Sequence, residues 1–130
     1  MSAYPILPAS APALVLPVLP SVVGPARVSA VLTFYVGADN TTGARVSPVT
    51  VVRVLACHGI DGATIREARG IWNGGAEDST VVDVVLPALG VAIDAVAVAA
   101  GVAEALRAAH NQRSVLWTLT PVLAGEALRT

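Results

Sequence analysis

Residues 63–86, ATIREARGIWNGGAEDSTVVDVVL, decide the fold of this 130-residue chain. At their centre Asn73-Gly74-Gly75 supplies the residues that tolerate positive φ, which a tight reversal between antiparallel strands demands. Before the turn, Ala63–Trp72 reads as a mixed strand. Its period-2 alternation sets Ile65 and Ile71 on one face with Glu67 and Arg69, and Arg66 on the other. After the turn, Thr80–Leu86 is almost wholly β-branched or apolar (Val81, Val82, Val84, Val85), as for a central strand covered on both faces. Pro87 ends that strand. Within the hairpin, Arg69 opposite a residue such as Asp83 would form an ordinary cross-strand ion pair.

Upstream of the hairpin, Val28–Val36 alternates with Val28, Ala30, Leu32, Phe34 and Val36 on one face, the pattern of a half-buried strand. Gly37–Gly43 is a polar turn cluster. Ser47 and Pro48 then open a helix, as N-cap and first helical residue, with Val49, Val52, Leu55 and Ala56 as its apolar stripe and Gly59 as its stop. Downstream, Val91–His110 predicts a long helix from the spacing of Ala92, Ala95, Ala99, Val102, Ala103 and Leu106; Asp94 lies near its start or is satisfied by a partner. Ser114–Val122 closes the domain as a strand with Val115, Trp117 and Leu119 on one face and Leu116, Thr118 and Thr120 on the other.

The order strand, helix, strand, strand, helix, strand is that of an α+β, ferredoxin-like βαββαβ sandwich over residues 27–124, with an arm at 1–26 and a short tail at 125–130. Two helices on four strands leave one sheet face to be covered by a second subunit or an added segment, so a homo-oligomer is expected.

Composition narrows the function. The chain is 55% hydrophobic and 13% charged with net charge -1, and all its basic residues are arginine, so a basic nucleic-acid face is not expected. A single cysteine, Cys57, excludes an intramolecular disulfide and a Cys-based zinc site within one chain. No metal or other cofactor is expected. The first charged side chain is Arg27, and Pro5, Pro8, Pro12, Pro17, Pro20 and Pro25 interrupt the apolar arm before it. Such a run lacks the basic start and unbroken helical middle of a signal peptide and the continuous apolar length of a membrane span. It reads as an extended arm whose Leu14, Leu16 and Leu19 need a surface to cover them, in a cytoplasmic protein or a particle assembled there.

Three runs carry a family resemblance: Tyr35-Val36-Gly37 before a polar loop, Gly70-Ile71-Trp72 before a glycine turn, and Gln112-Arg113-Ser114-Val115-Leu116 opening the last strand. Through them the region from Phe34 to Val122 resembles a family of small bacterial ferredoxin-like domains of unknown function, some of them lipoproteins. Gly62-Ala63-Thr64-Ile65-Arg66-Glu67-Ala68-Arg69-Gly70, followed by a loop and an apolar strand, is more loosely similar to the trimeric PII signalling proteins. Their long regulatory loop and lysine-bearing nucleotide clefts have no counterpart in this sequence.

No set of residues reads as catalytic. Cys57-His58 pairs a thiol with an imidazole at a helix end, but neighbours on a helix point about 100° apart, so a buried thiol and a helix-terminal histidine are the simpler assignment. Arg66, Arg69 and Arg113 are the candidate anion contacts, because guanidinium groups match carboxylate and phosphate geometry. Trp72 and Trp117 are the large side chains, expected in the core or at an interface. The expectation is a non-enzymatic, self-associating structural protein, of a virus particle or shell, that contacts copies of itself or neighbouring subunits through its arm. The alternatives are a sensor or binder of a small anionic ligand at a subunit cleft, and a small enzyme with His58 as base.

Overall fold

The protein is seen in a computed structural model that describes residues 26–86 and 94–125. Six elements follow one another: β1 (Arg27–Val36), α1 (Pro48–Cys57), β2 (Thr64–Trp72), β3 (Gly75–Leu86), α2 (Ala95–Ala109) and β4 (Leu116–Ala124). The strands form one antiparallel sheet in the order β2-β3-β1-β4, with both helices on one face, which is the ferredoxin-like, PII-like α+β fold. Leu14, Leu16 and Leu19, with the rest of the arm, lie outside the described residues.

The hairpin closes as its turn residues require. Asn73 (φ 51°) and Gly74 (φ 78°) are both left-handed, and Trp72 pairs directly with Gly75. β3 therefore starts at Gly75, five residues before the apolar run, because ladder hydrogen bonds use backbone and are indifferent to the polar Glu77 and Asp78. Its helix-side residues Thr80, Val82, Val84 and Leu86 are buried; on the other face Ser79 and Val81 are buried too but Val85 is 58% exposed, so β3 is covered on both sides only before its last residues.

Ser47 Oγ accepts from the Val49 amide at 3.2 Å and Pro48 occupies the first turn of α1, while Asp94 caps α2 by accepting from Ala97 N at 3.0 Å. Of the stripe its sequence suggested for α1, only Leu55 is buried. Val51, Val54 and Leu55 face the core, whereas Val49 and Val52 are 56% and 59% exposed. The helix is apolar nearly all round, so two stripes fit the same period and only packing against the rest of the fold chooses between them. In α2 the buried set is Ala99, Val102, Ala103 and Leu106, packed on β1, β4 and α1. Phe34, Leu32 and Leu106 are fully buried at the centre, each contributing about 1.5–3 kcal/mol. Trp117 packs half-buried against that core from β4, an edge strand that accommodates Pro121. No described helix is long and apolar enough to cross a membrane.

Candidate functional site

Two loops that are far apart in sequence lock together at the end of the sheet beside the β2–β3 turn. After β1, Asp39 Oδ1 accepts from the amides of Thr41 (2.7 Å) and Thr42 (3.0 Å), and Gly43, at φ 72°, closes the loop by donating its amide to the Asp39 carbonyl. After α2, Asn111 turns the chain at φ 49°, and its side-chain amide donates to Asp39 Oδ1 (3.2 Å) and Thr41 Oγ1 (2.9 Å). His110 Nε2 donates to the Ala44 carbonyl at 3.0 Å. The amides of Thr42 and Thr41, then that of Asn111, hold the Asp39 carboxyl below the usual carboxylate range, with a smaller pull from His110.

Beneath these contacts Gln112 is 8% exposed, and every hydrogen bond of its amide goes to backbone. Its Oε1 accepts from Gly37 N at 3.1 Å; its Nε2 donates to the carbonyls of Ala38 (2.6 Å) and His110 (3.2 Å). The Glu77 carboxylate from β3 stands over Gly37 so closely that a Cβ there would lie 2.6 Å from Glu77 Oε1 and 3.0 Å from Gln112 Oε1. Glycine is required at 37 by that approach, not by backbone strain. Trp72 folds back over Gly70, where a Cβ would meet its Nε1 at 2.9 Å.

Together Asn40, Trp72, Asn73, Glu77, Gln112, Arg113 and Ser114 line a hollow of about 420 Å³. That is within the ~300–1,000 Å³ of small-molecule sites. An indole, a carboxylate, a guanidinium and several amides round one hollow can stack on a flat ring and both donate to and accept from polar substituents. The residue runs that carried the family resemblance end here, since Gly37, Trp72, Gln112 and Arg113 all belong to this corner. Glu77 and Asn111 were not singled out from sequence, and Asn40 was read only as part of the polar turn cluster 37–43. Their one legible signal was proximity to those runs.

The arginine set does not converge. Arg66, on the face away from the helices, places Nε and Nη2 at 3.2 and 2.8 Å from Asp83 Oδ2, and Thr33 Oγ1 donates to Asp83 Oδ1 at 2.7 Å. Arg69 is on the helix side and pairs not with Asp83 but with Asp78, its direct cross-strand neighbour, at 3.1 Å. Strand alternation makes this unavoidable, because positions 66 and 69 differ by an odd number. Arg45 reaches the same Asp78 at 3.3 Å and donates to the Ala68 and Ser79 carbonyls, tying the β1–α1 loop to the hairpin. Of the three proposed anion contacts, Arg113 alone lines the hollow.

At the other end of the hairpin, a hollow of about 470 Å³ is lined by His58–Thr64, Asp83–Leu86 and Val98. His58 is exposed, its Nδ1 donates to the Val54 carbonyl at 2.9 Å, and its Nε2 sits over Gly101 of α2. Asp83 is already bonded by Arg66 and Thr33, and the second carboxylate of the lining, Asp61, is exposed on the α1–β2 loop. Cys57 is exposed, not buried. Among the described residues no group of three or more His, Cys, Asp or Glu side chains could hold a metal ion.

No family model matches this chain, and no curated protein does. Solved structures do. A phage SAM lyase in complex with S-methyl-5'-thioadenosine superposes with a TM-score of 0.57 at 17% identity, covering 74% of this chain and 90% of its own. A phage SAM lyase in the apo state gives 0.55 at 18% identity, over 82% and 91% of the two chains. CPII, a nitrogen regulatory PII-like protein from Thiomonas intermedia K12 bound to ADP, AMP and bicarbonate, gives 0.52 at 12% identity, over 79% and 99%. At these identities the likeness is one of fold, and it places the chain among ferredoxin-like, PII-like α+β domains.

Proposed function

We propose that the protein binds a small molecule with an adenosine-like part in the hollow between Trp72, Glu77 and Arg113. The observation that carries this reading is the convergence there of the β1–α1 loop, the β2–β3 turn and the α2–β4 loop, pinned by the buried Gln112 amide. Trp72 offers an indole, 46% exposed, for the flat base, and Arg113 an anion contact for the remainder of the ligand. The ligands in two structures of this fold, S-methyl-5'-thioadenosine in one and ADP and AMP in the other, share an adenosine and support the choice. Calorimetry with S-methyl-5'-thioadenosine and AMP tests it. Binding should weaken about tenfold or more in Trp72→Ala, as expected for loss of base stacking. Absence of heat with either compound, or a Trp72→Ala variant that binds as well as the parent, would sink the reading.

A second reading is supported by the sheet face opposite the helices, where Val85 and Leu116 are 58% and 55% exposed. Apolar side chains on an uncovered sheet favour self-association, and with it the structural role that the apolar arm suggests. Light scattering on the full chain, on Val85→Glu and on a chain lacking residues 2–25 would separate face from arm. An unchanged small mass in all of them removes self-association altogether.

A further inference from the structure

Among the described residues, nearly every carboxylate is already engaged. Asp39 accepts backbone amides, Asp94 caps α2, Asp78 and Asp83 pair with arginines, Glu104 bonds Arg107, and Glu67 lies 3.9 Å from Arg45. Asp61 is exposed on the α1–β2 loop. Glu77 differs from all of these. It is half-buried, it stands against Gly37 with no room beneath it, and it makes no hydrogen bond or ion pair with any described residue while facing the Trp72–Arg113 hollow. With no donor from the described fold, the Glu77 carboxylate leaves its acceptor sites open to the hollow, where water or a ligand's donors fill them.

We infer that Glu77 is the specificity-determining residue of the hollow, and that it reads a pair of vicinal hydroxyls, the ribose diol of a nucleoside stacked on Trp72. The inference rests on the proposed site and adds to it which part of the ligand is recognised. An ionised carboxylate has only acceptor sites and can take both hydroxyl protons of a diol, the arrangement in which acidic side chains bind ribose elsewhere. It also disfavours a polyphosphate at this corner. Glu77 and its neighbours Asp39 and Asp78 oppose Arg113 and Arg69, and both Arg69 and Arg45 are already paired with Asp78. The nucleoside is thus the main recognised part, with Arg113 left to contact a single anionic group and not a polyphosphate.

The test compares adenosine with 2',3'-dideoxyadenosine on the parent protein, on Glu77→Gln and on Trp72→Ala, by calorimetry. Thermal unfolding of each variant serves as the check on folding. The parent should prefer adenosine by about 10–100-fold, the range for hydrogen bonds to a charged group. Glu77→Gln keeps the shape over Gly37, and should lose most of that preference while binding the dideoxy compound as the parent does. Equal affinity of the parent for both nucleosides, or an equal loss for both in Glu77→Gln, overturns the role of Glu77. In either case weaker binding of both by Trp72→Ala leaves the site itself standing. Failure of the parent to bind adenosine overturns inference and site together.

Discussion

The two ends of the β2–β3 hairpin are hollows of similar size built on opposite terms. At the Trp72 end, about 420 Å³ is ringed by side chains with chemistry of their own, and the loops behind them are fixed by Gln112, Asn111, Asp39 and Arg45. At the His58 end, about 470 Å³ is lined by His58–Thr64, Asp83–Leu86 and Val98; His58 and Asp83 are already bonded within the fold, and Asp61 is an exposed loop carboxylate that no described residue holds in place. A recognition site needs polar groups that are both held in place and left with unused bonding capacity. Only the first end meets both conditions, although the second carried the residues that a search for nucleophiles and bases would choose.

The contrast is broken most severely at Gln112. Gln112→Leu removes an acceptor from Gly37 N and donors from two carbonyls in a buried setting, and should cost about 2–4 kcal/mol in urea unfolding. His58→Ala at the other end should cost less than about 1 kcal/mol, its ring being exposed. Comparable losses would mean that the two ends are equally fixed.

Next in size is Gly37→Ala. The new methyl meets the flexible end of Glu77 and the held amide of Gln112, so Glu77 must move, and nucleoside affinity should fall several-fold for about 1–2 kcal/mol of stability. Unchanged affinity would show that Glu77 need not stand where it does. Thr80→Val should act in the opposite direction. Thr80 Oγ1 is buried with no hydrogen-bond partner on the helix side of β3, so an isosteric methyl should stabilise the fold by up to about 1 kcal/mol, raising the urea midpoint.

The smallest effect is the acid response of Asp39, a half-buried carboxyl on the β1–α1 loop. Its folded pKa is depressed, so its contribution is present above the unfolded value and is lost as pH falls below about 4 toward the folded one. Asp39→Asn should therefore flatten the stability profile in that acid window alone. A change centred near neutrality would assign the linkage to another group.

The hairpin, the Ser47 cap of α1 and the alternation of β1 and β4 could be read from sequence, because turns, caps and period-2 patterns are local events governed by residues within a few positions of each other. The βαββαβ order followed from them. α1 marks the limit: around Leu55, Val49, Val52 and Ala56 make as good a stripe as Val51 and Val54 do, and which one is buried is settled by the partner surface. The same holds for the site. Arg66 and Arg69 looked like a pair but alternate across the sheet, while Gly37, Trp72, Glu77 and Gln112 are spread over 76 residues of sequence and meet at one corner.

What the sequence by itself determined is the set of elements, their order and the residues that turn or cap the chain, since those depend on backbone preferences and short-range hydrogen bonds. What only the tertiary structure decided is which apolar face is buried, which carboxylates find cations, and that Glu77 finds none among the described residues. Those outcomes depend on contacts between residues distant in the chain, where burial sets the cost of every unpaired group.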